Sequence, residues 1–355
     1  MNVSTGNPMA EKRIPVGGPY FEDFEIGQVY DGVPGVTLTE GHAALHQALF
    51  GDRLRLALDA TLSEAVTDCP RPFAHPMLVC NTAIGQTTVV SQRVKGNLFY
   101  RGLVMLSPVF IGDTLTTTTK IIALRQNTPR PGRPATGLVA LEMEVTNQDD
   151  AKVLHFWRCP MIACRDPEAQ TGHEGSFDAI PEDIALNKLK AAVPAQWRLD
   201  LFRRRAPGEH FTDIEAGTIY DIAPRDVVTS APELVRSGLN LAMGHLDAHE
   251  SVYGVRLVYG GHVIGLAAAQ AVRALPNLVT IIAWRSCDHT APVFEGDTLR
   301  TELTVENTHP MDDGHGLLDL RCVTRAERGA EAVRAGMEAG TEKAVLDWRF
   351  VALMA

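Results

Sequence analysis

Two segments recur in the same order along this chain, and they constrain its fold more than any other feature. Phe21-Glu22-Asp23-Phe24-Glu25-Ile26-Gly27 returns as Phe211-Thr212-Asp213-Ile214-Glu215-Ala216-Gly217, 190 residues later. Pro108-Val109-Phe110-Ile111-Gly112-Asp113-Thr114-Leu115 returns as Pro292-Val293-Phe294-Glu295-Gly296-Asp297-Thr298-Leu299, 184 residues later. Matching order at nearly one spacing implies two copies of a single domain rather than two unrelated ones. The expected boundaries are a first copy at 1–165, a polar, Pro-containing linker at 166–205, and a second copy at 206–355.

Each copy has the same expected layout. A short helix (Gly41 to Phe50, Pro232 to Met243) leads through a polar loop into an apolar helix (Met77 to Val90, Val263 to Leu275). The second of these is apolar nearly all round, so it is expected to be buried rather than amphipathic. Runs rich in β-branched residues follow: Thr114 to Leu124, Leu138 to Asn147 and Val153 to Cys164. Leu278 to Cys287, Thr298 to Asn307 and Gly316 to Arg325 are taken as their counterparts. Gly112-Asp113 and Gly296-Asp297 are turn dipeptides between strands. The fold class expected is α+β: two antiparallel sheets, each wrapped around a central apolar helix.

This pattern resembles the tandem, or double, hot dog fold of the MaoC-like hydratases and dehydratases. In that family the catalytic loop reads Gly-Asp-x-Asn-Pro-Leu-His-x-Asp, and a His-Gly dipeptide opens the central helix. The first copy has Gly51-Asp52-Arg53-Leu54-Arg55-Leu56-Ala57-Leu58-Asp59, with Ala57 at the histidine position. The second has Asn240, His245 and Asp247, with an amide at the position of the leading acid. Ala74-His75 and Gly261-His262 stand where the His-Gly dipeptide is expected. A closer likeness, in Gly96 to Leu103 and Arg256 to His262, is to the branch that hydrates mesaconyl-CoA to β-methylmalyl-CoA.

The resemblance implies a hydro-lyase with His245 as acid or base, Asn240 positioning water and Asp247 orienting the imidazole. Backbone N–H groups at Gly260, Gly261 or His262, where the buried helix begins, would hold the enolate oxygen. Lys95, Arg101 and Arg285, with Arg93 and Arg256 as spares, are the expected contacts for coenzyme A phosphates or an acyl carboxylate. The first copy, lacking the histidine, would hold ligand while the second supplies the chemistry.

No metal and no separate cofactor are expected, since coenzyme A is part of the substrate. A formal net charge of −10 and the lack of a basic run argue against nucleic acid. The polar N-terminus and the absence of a long apolar run argue for a cytoplasmic protein without a membrane span. Six scattered cysteines without a CxxC pair fit reduced thiols. A homo-oligomer, a dimer above all, is expected from the family. Three other readings stay open: an (R)-specific enoyl-CoA hydratase of other chain type, a hot dog thioesterase, or a non-catalytic acyl-CoA-binding protein. The thioesterase would need a carboxylate on a central helix, and both apolar stretches lack one.

Overall fold

The computed structural model describes residues 12–355. Its two central helices are buried because their sequences offer no polar face. All eleven residues of Pro76–Gln86 are buried, and so are twelve of the fifteen in Gly260–Ala274. Proline at the first helical turn and the His75 side chain, which accepts from Met77 N at 3.1 Å, start the first helix. A helix buried all round must be enclosed on every side, and a long curved sheet provides that.

The sheet is entirely antiparallel. The first copy contributes β1 (Val29–Tyr30), β2 (Val36–Thr37), β3 (Val94–Met105), β4 (Thr114–Gln126), β5 (Thr136–Thr146) and β6 (Lys152–Ala163). The second contributes β7 (Ile219–Asp221), β8 (Asp226–Val227), β9 (Leu278–His289), β10 (Thr298–Pro310), β11 (Gly316–Glu327) and β12 (Glu342–Met354). The strand order is β1-β4-β5-β6-β3-β9-β12-β11-β10-β7, with β2 on β4 and β8 on β10. One continuous sheet therefore runs through both copies, joined where Arg101, Leu103 and Val104 pair with Ser286, Trp284 and Ala283.

The double hot dog architecture matches the expectation, but the strand correspondence needs correction. Each copy has four long strands after its central helix, not three. Leu278–His289 corresponds to Val94–Met105, and Glu342–Met354 to Lys152–Ala163. β3 escapes a reading by alternation because Gly96, Asn97 and Gly102 interrupt it, and a bulge sits at Gly102 (φ 59°). The predicted helix Pro232 to Met243 is also shorter. It runs Ala231–Ser237 and stops at Gly238, because Leu239 has φ 56°.

The repeated sequence segments are packing devices. The Phe21 ring lies on Gly137 and the Phe211 ring on Gly316, where a Cβ would fall 2.3 and 2.4 Å from the ring. Asp113 and Asp297 are buried and close their own turns, accepting from Phe110 N at 2.9 Å and Phe294 N at 3.1 Å. Arg71 pairs with the first and Arg328 with the second.

The connection between copies is more than a tether. Leu189, Val193, Trp197, Leu199 and Phe202 are buried against Val279, Ile282, Val351 and Leu353 on the sheet face away from the central helices. Each such side chain contributes about 1.5–3 kcal/mol, so this segment covers a face that would otherwise meet water. No helix among the described residues is long and apolar enough to cross a membrane.

In the first copy, the buried Asp52 carboxylate lies 3.2 Å from His75 Nε2. Burial pushes the Asp52 carboxyl up, but the neighbouring His75 imidazole and the Leu54 N–H outweigh it and leave it below the usual carboxylate range. Its stabilising contribution is therefore present above the unfolded value of about 3.9 and is lost as pH falls through the folded value. Asp52→Ala is expected to cost about 2 kcal/mol at pH 7. The gap to the wild type should begin to narrow only as pH falls below about 4 and close below the folded value, as measured by denaturant unfolding across pH.

Candidate active site

The loop between Ser237 and Gly260 is built by contacts to the other copy. Gly238 lies directly on Gly85 of the first central helix, where a Cβ would fall 1.6 Å from the Gly238 carbonyl oxygen. Leu241 N donates to Thr88 Oγ1 at 2.8 Å, and Met243 N to Gln92 O at 2.9 Å. Asn240, 4% exposed, folds its side chain back so that Oδ1 accepts from Ala242 N at 2.9 Å. That turn leads into the single helical turn Met243–Leu246, which carries His245.

His245 Nδ1 lies 2.8 Å from Leu257 O. A carbonyl oxygen can only accept, so Nδ1 carries the proton and Nε2 keeps a lone pair. Leu257 is itself held by its N–H, which donates to Gly244 O at 3.0 Å. Burial lowers the His245 pKa below the ordinary 6.5, and the bond to Leu257 opposes this only in part. The imidazole is thus neutral near pH 7, in the tautomer a general base needs. Tyr259 flanks it, with ring centroids 5.6 Å apart.

Asn240, His245, Gly260 and Lys95 line one cavity of about 330 Å³. Its wall comes from both copies: Thr88, Ser91, Tyr100 and Arg158 from the first, Tyr259 and His289 from the second. His289 Nε2 is buried without a partner, and a Cβ on Gly260 would fall 2.4 Å from it. Burial, with His245 beside it, holds the His289 pKa down to about 4.

Other expected site residues lie elsewhere. Asp247 does not orient His245; its carboxylate accepts from His249 N at 2.9 Å and caps the next turn, and the Leu257 carbonyl does the orienting. His262 is 1% exposed, edge-on to Phe50 at 5.4 Å, and burial takes its pKa to about 4. Its backbone N–H is already engaged by Tyr259 O. Gly261 faces the first central helix, where a Cβ would meet Asn81 Oδ1 at 2.4 Å.

Arg101 and Arg285 point to the linker side of the sheet. Arg101 covers the Phe99 ring and reaches toward Glu182, and Arg285 pairs with Asp183 and Asp319. Arg256 pairs with Glu295, and Arg93 with Gly18 O and the Tyr20 ring. Arg101 and Arg285 line a second space of about 740 Å³ on the linker side, with Phe99 and Arg125. At the place in the first copy equivalent to the His245 cavity there is no comparable cleft. The space beside the start of its central helix is about 30 Å³, closed by Phe73, Trp197 and Ile281. The first copy instead forms one wall of the second copy's cavity.

Arg158 and His289 were missed in the sequence because no motif surrounds them, and Tyr100 and Tyr259, though inside the two tracts that carry the closer likeness, were not singled out as site residues. A strand-by-strand comparison of the repeats would have shown two of them: Tyr100 stands opposite Trp284 at the 184-residue spacing, and His289 opposite Met105. Among the described residues no cluster of three or more His, Cys, Asp or Glu suits a metal ion.

No protein-family model matches the sequence. β-Methylmalyl-CoA dehydratase of Chloroflexus aurantiacus is 32% identical over 90% of this chain and 91% of its own length. Mesaconyl-CoA hydratase of Cereibacter sphaeroides is 29% identical over 86% and 89%. Among solved structures, a conserved hypothetical protein of Mycobacterium tuberculosis with a double hotdog fold superposes with a TM-score of 0.87 at 47% identity, covering 96% of this chain and all of its own. A putative MaoC domain dehydratase from Chloroflexus aurantiacus gives 0.80 at 28%, over 97% of this chain and 99% of its own. With this fold, this cavity and a 32% identical relative matched along nearly its whole length, the chain belongs to the β-methylmalyl-CoA dehydratase and mesaconyl-CoA hydratase family of MaoC-like double hot dog hydro-lyases.

Proposed function

We propose that this protein adds water to, or removes it from, the carbon–carbon double bond next to the thioester carbonyl of an acyl-CoA, with mesaconyl-CoA and β-methylmalyl-CoA as the pair interconverted. The observation that carries this reading is the neutral His245, with Nε2 free, sharing a cavity with Asn240 and a helix start. The names of the two relatives describe the two ends of one such hydration.

Water held by the Asn240 amide gives a proton to His245 Nε2 as its oxygen bonds to the β-carbon. The π electrons move to the thioester oxygen, and the enolate formed lies against the start of the second central helix. The first N–H groups there have no carbonyl one turn back, and the helix dipole favours negative charge. The imidazolium then returns its proton to the α-carbon, which restores the catalyst and completes addition of one water. An amide cannot carry a proton, so His245 performs both transfers. Coenzyme A arrives with the substrate and no further cofactor is needed.

His245→Ala should lower hydration of mesaconyl-CoA by on the order of 10²–10⁴-fold, followed by loss of enoyl thioester absorbance. The base must be neutral and its pKa is depressed. The rate should therefore be flat from pH 8 to about 6.5 and fall on the acid side; a rate that rises on acidification contradicts the assignment. Gly85→Ala forces the Gly238 backbone away. It is expected to destabilise the protein by about 1–3 kcal/mol and to lower kcat by displacing Asn240, as read from denaturation and steady-state rates on one preparation.

A further inference from the structure

Arg158 has no part in the water addition, yet it lines the same cavity as Asn240 and His245. It is 4% exposed and stands on β6 between Phe156 and Ile162, whose side chains belong to the apolar core around the central helices. Its Nη2 donates to Ser91 Oγ at 2.6 Å and to Thr87 O at 3.3 Å, both neutral groups. Its Nε is buried without a partner.

Other enclosed arginines of this protein are paired with carboxylates: Arg328 with Asp297, Arg273 with Asp226 and Arg285 with Asp319. Among the described residues Arg158 has no such ion pair. Arginine cannot shed its proton, and a buried charge lacking a counter-charge costs several kcal/mol. The site is therefore incomplete without an anion.

The repeat shows that the fold itself does not require a cation here. Arg158 pairs across the strands with Tyr100, and Trp284, the counterpart of Tyr100, pairs with Phe350. The second copy fills the equivalent place with an aromatic stack, Trp348 on Phe350 at 4.0 Å. The first copy puts a guanidinium there instead, facing the cavity. The Tyr259 hydroxyl beside it is also buried and unpartnered. Burial keeps both Tyr100 and Tyr259 protonated, so their hydroxyls remain donors.

We propose that Arg158 is the carboxylate receptor of the acyl subsite, which takes the free carboxylate of an enedioyl thioester and so selects such substrates over plain enoyl thioesters. This rests on the hydratase reading above. A planar guanidinium matches a carboxylate with two parallel hydrogen bonds, and Tyr259 can donate to the remaining lone pairs.

The test compares hydration of mesaconyl-CoA and crotonyl-CoA, which share the enoyl thioester and differ chiefly in the carboxylate. The wild type should prefer mesaconyl-CoA. Arg158→Met should cut the ratio of the two kcat/KM values by about 100-fold or more, and Arg158→Lys should recover part of it. Free mesaconate gives a readout without turnover: it should raise the Tm of the wild type and not that of Arg158→Met. If Arg158→Met fails to fold, Arg158→Gln replaces it in both measurements.

An unchanged ratio, with both activities kept or lost together, overturns the proposal. So does a wild type that hydrates crotonyl-CoA as well as mesaconyl-CoA, which leaves the hydratase reading intact. A wild type that hydrates neither removes the hydratase reading, and the mesaconate shift then decides by itself whether Arg158 receives a carboxylate.

Discussion

The short pairing of β3 with β9 is the constraint on which the rest of the structure depends. Three residue pairs turn two half-sheets into one and bring both central helices to the same inner face. The bulge at Gly102 lies inside this seam, with its backbone at φ 59° and the Trp157 ring where a Cβ would be. One extra residue there keeps both Tyr100 and Leu103 inward while Arg101 faces the linker side. Without the seam the cavity would lose the wall that carries Tyr100 and Arg158.

The site follows from contacts across that seam. The loop Gly238 to Glu250 leaves Leu239, Leu241 and Leu246 exposed, has little core of its own and cannot by itself hold a side chain to a fraction of an ångström. It is held because Gly238 presses on Gly85, because Thr88 and Gln92 accept its N–H groups, and because Leu257 fixes the imidazole. The precision with which this loop is placed comes from the neighbouring copy. The same geometry explains why burial can depress both His245 and His289 in a cavity that also accepts a charged arginine.

Duplication gives two equivalent places, and they have been filled differently. In the first copy Asp52 is locked to His75, and the adjoining space has shrunk to about 30 Å³ under Trp197. In the second, about 330 Å³ stays open beside His245. Where one sheet stacks Trp348 on Phe350, the other carries Arg158. The polar exceptions are therefore not spread evenly; those that line the open cavity gather on one side of the pseudo-symmetric pair.

The repeated Phe21 and Phe211 turns, the Gly-Asp turns and the apolar helices are local or periodic signals, and from them the sequence alone showed two copies of a sheet wrapped around a helix, which the family resemblance identified as a double hot dog. Asn240 and His245 stood out in the sequence because they fall in one loop with the family's spacing, and in the structure both line one cavity. Asp247 misled for the same reason: closeness along the chain suggested a carboxylate–imidazole pair, but a one-turn helix points the two side chains apart. Arg158, Tyr100 and His289 lie on three strands far apart in the chain, and only the sheet register brings them to one wall. That register arises from long-range backbone pairing and a single glycine bulge, which leave no periodic trace in the residues they place together.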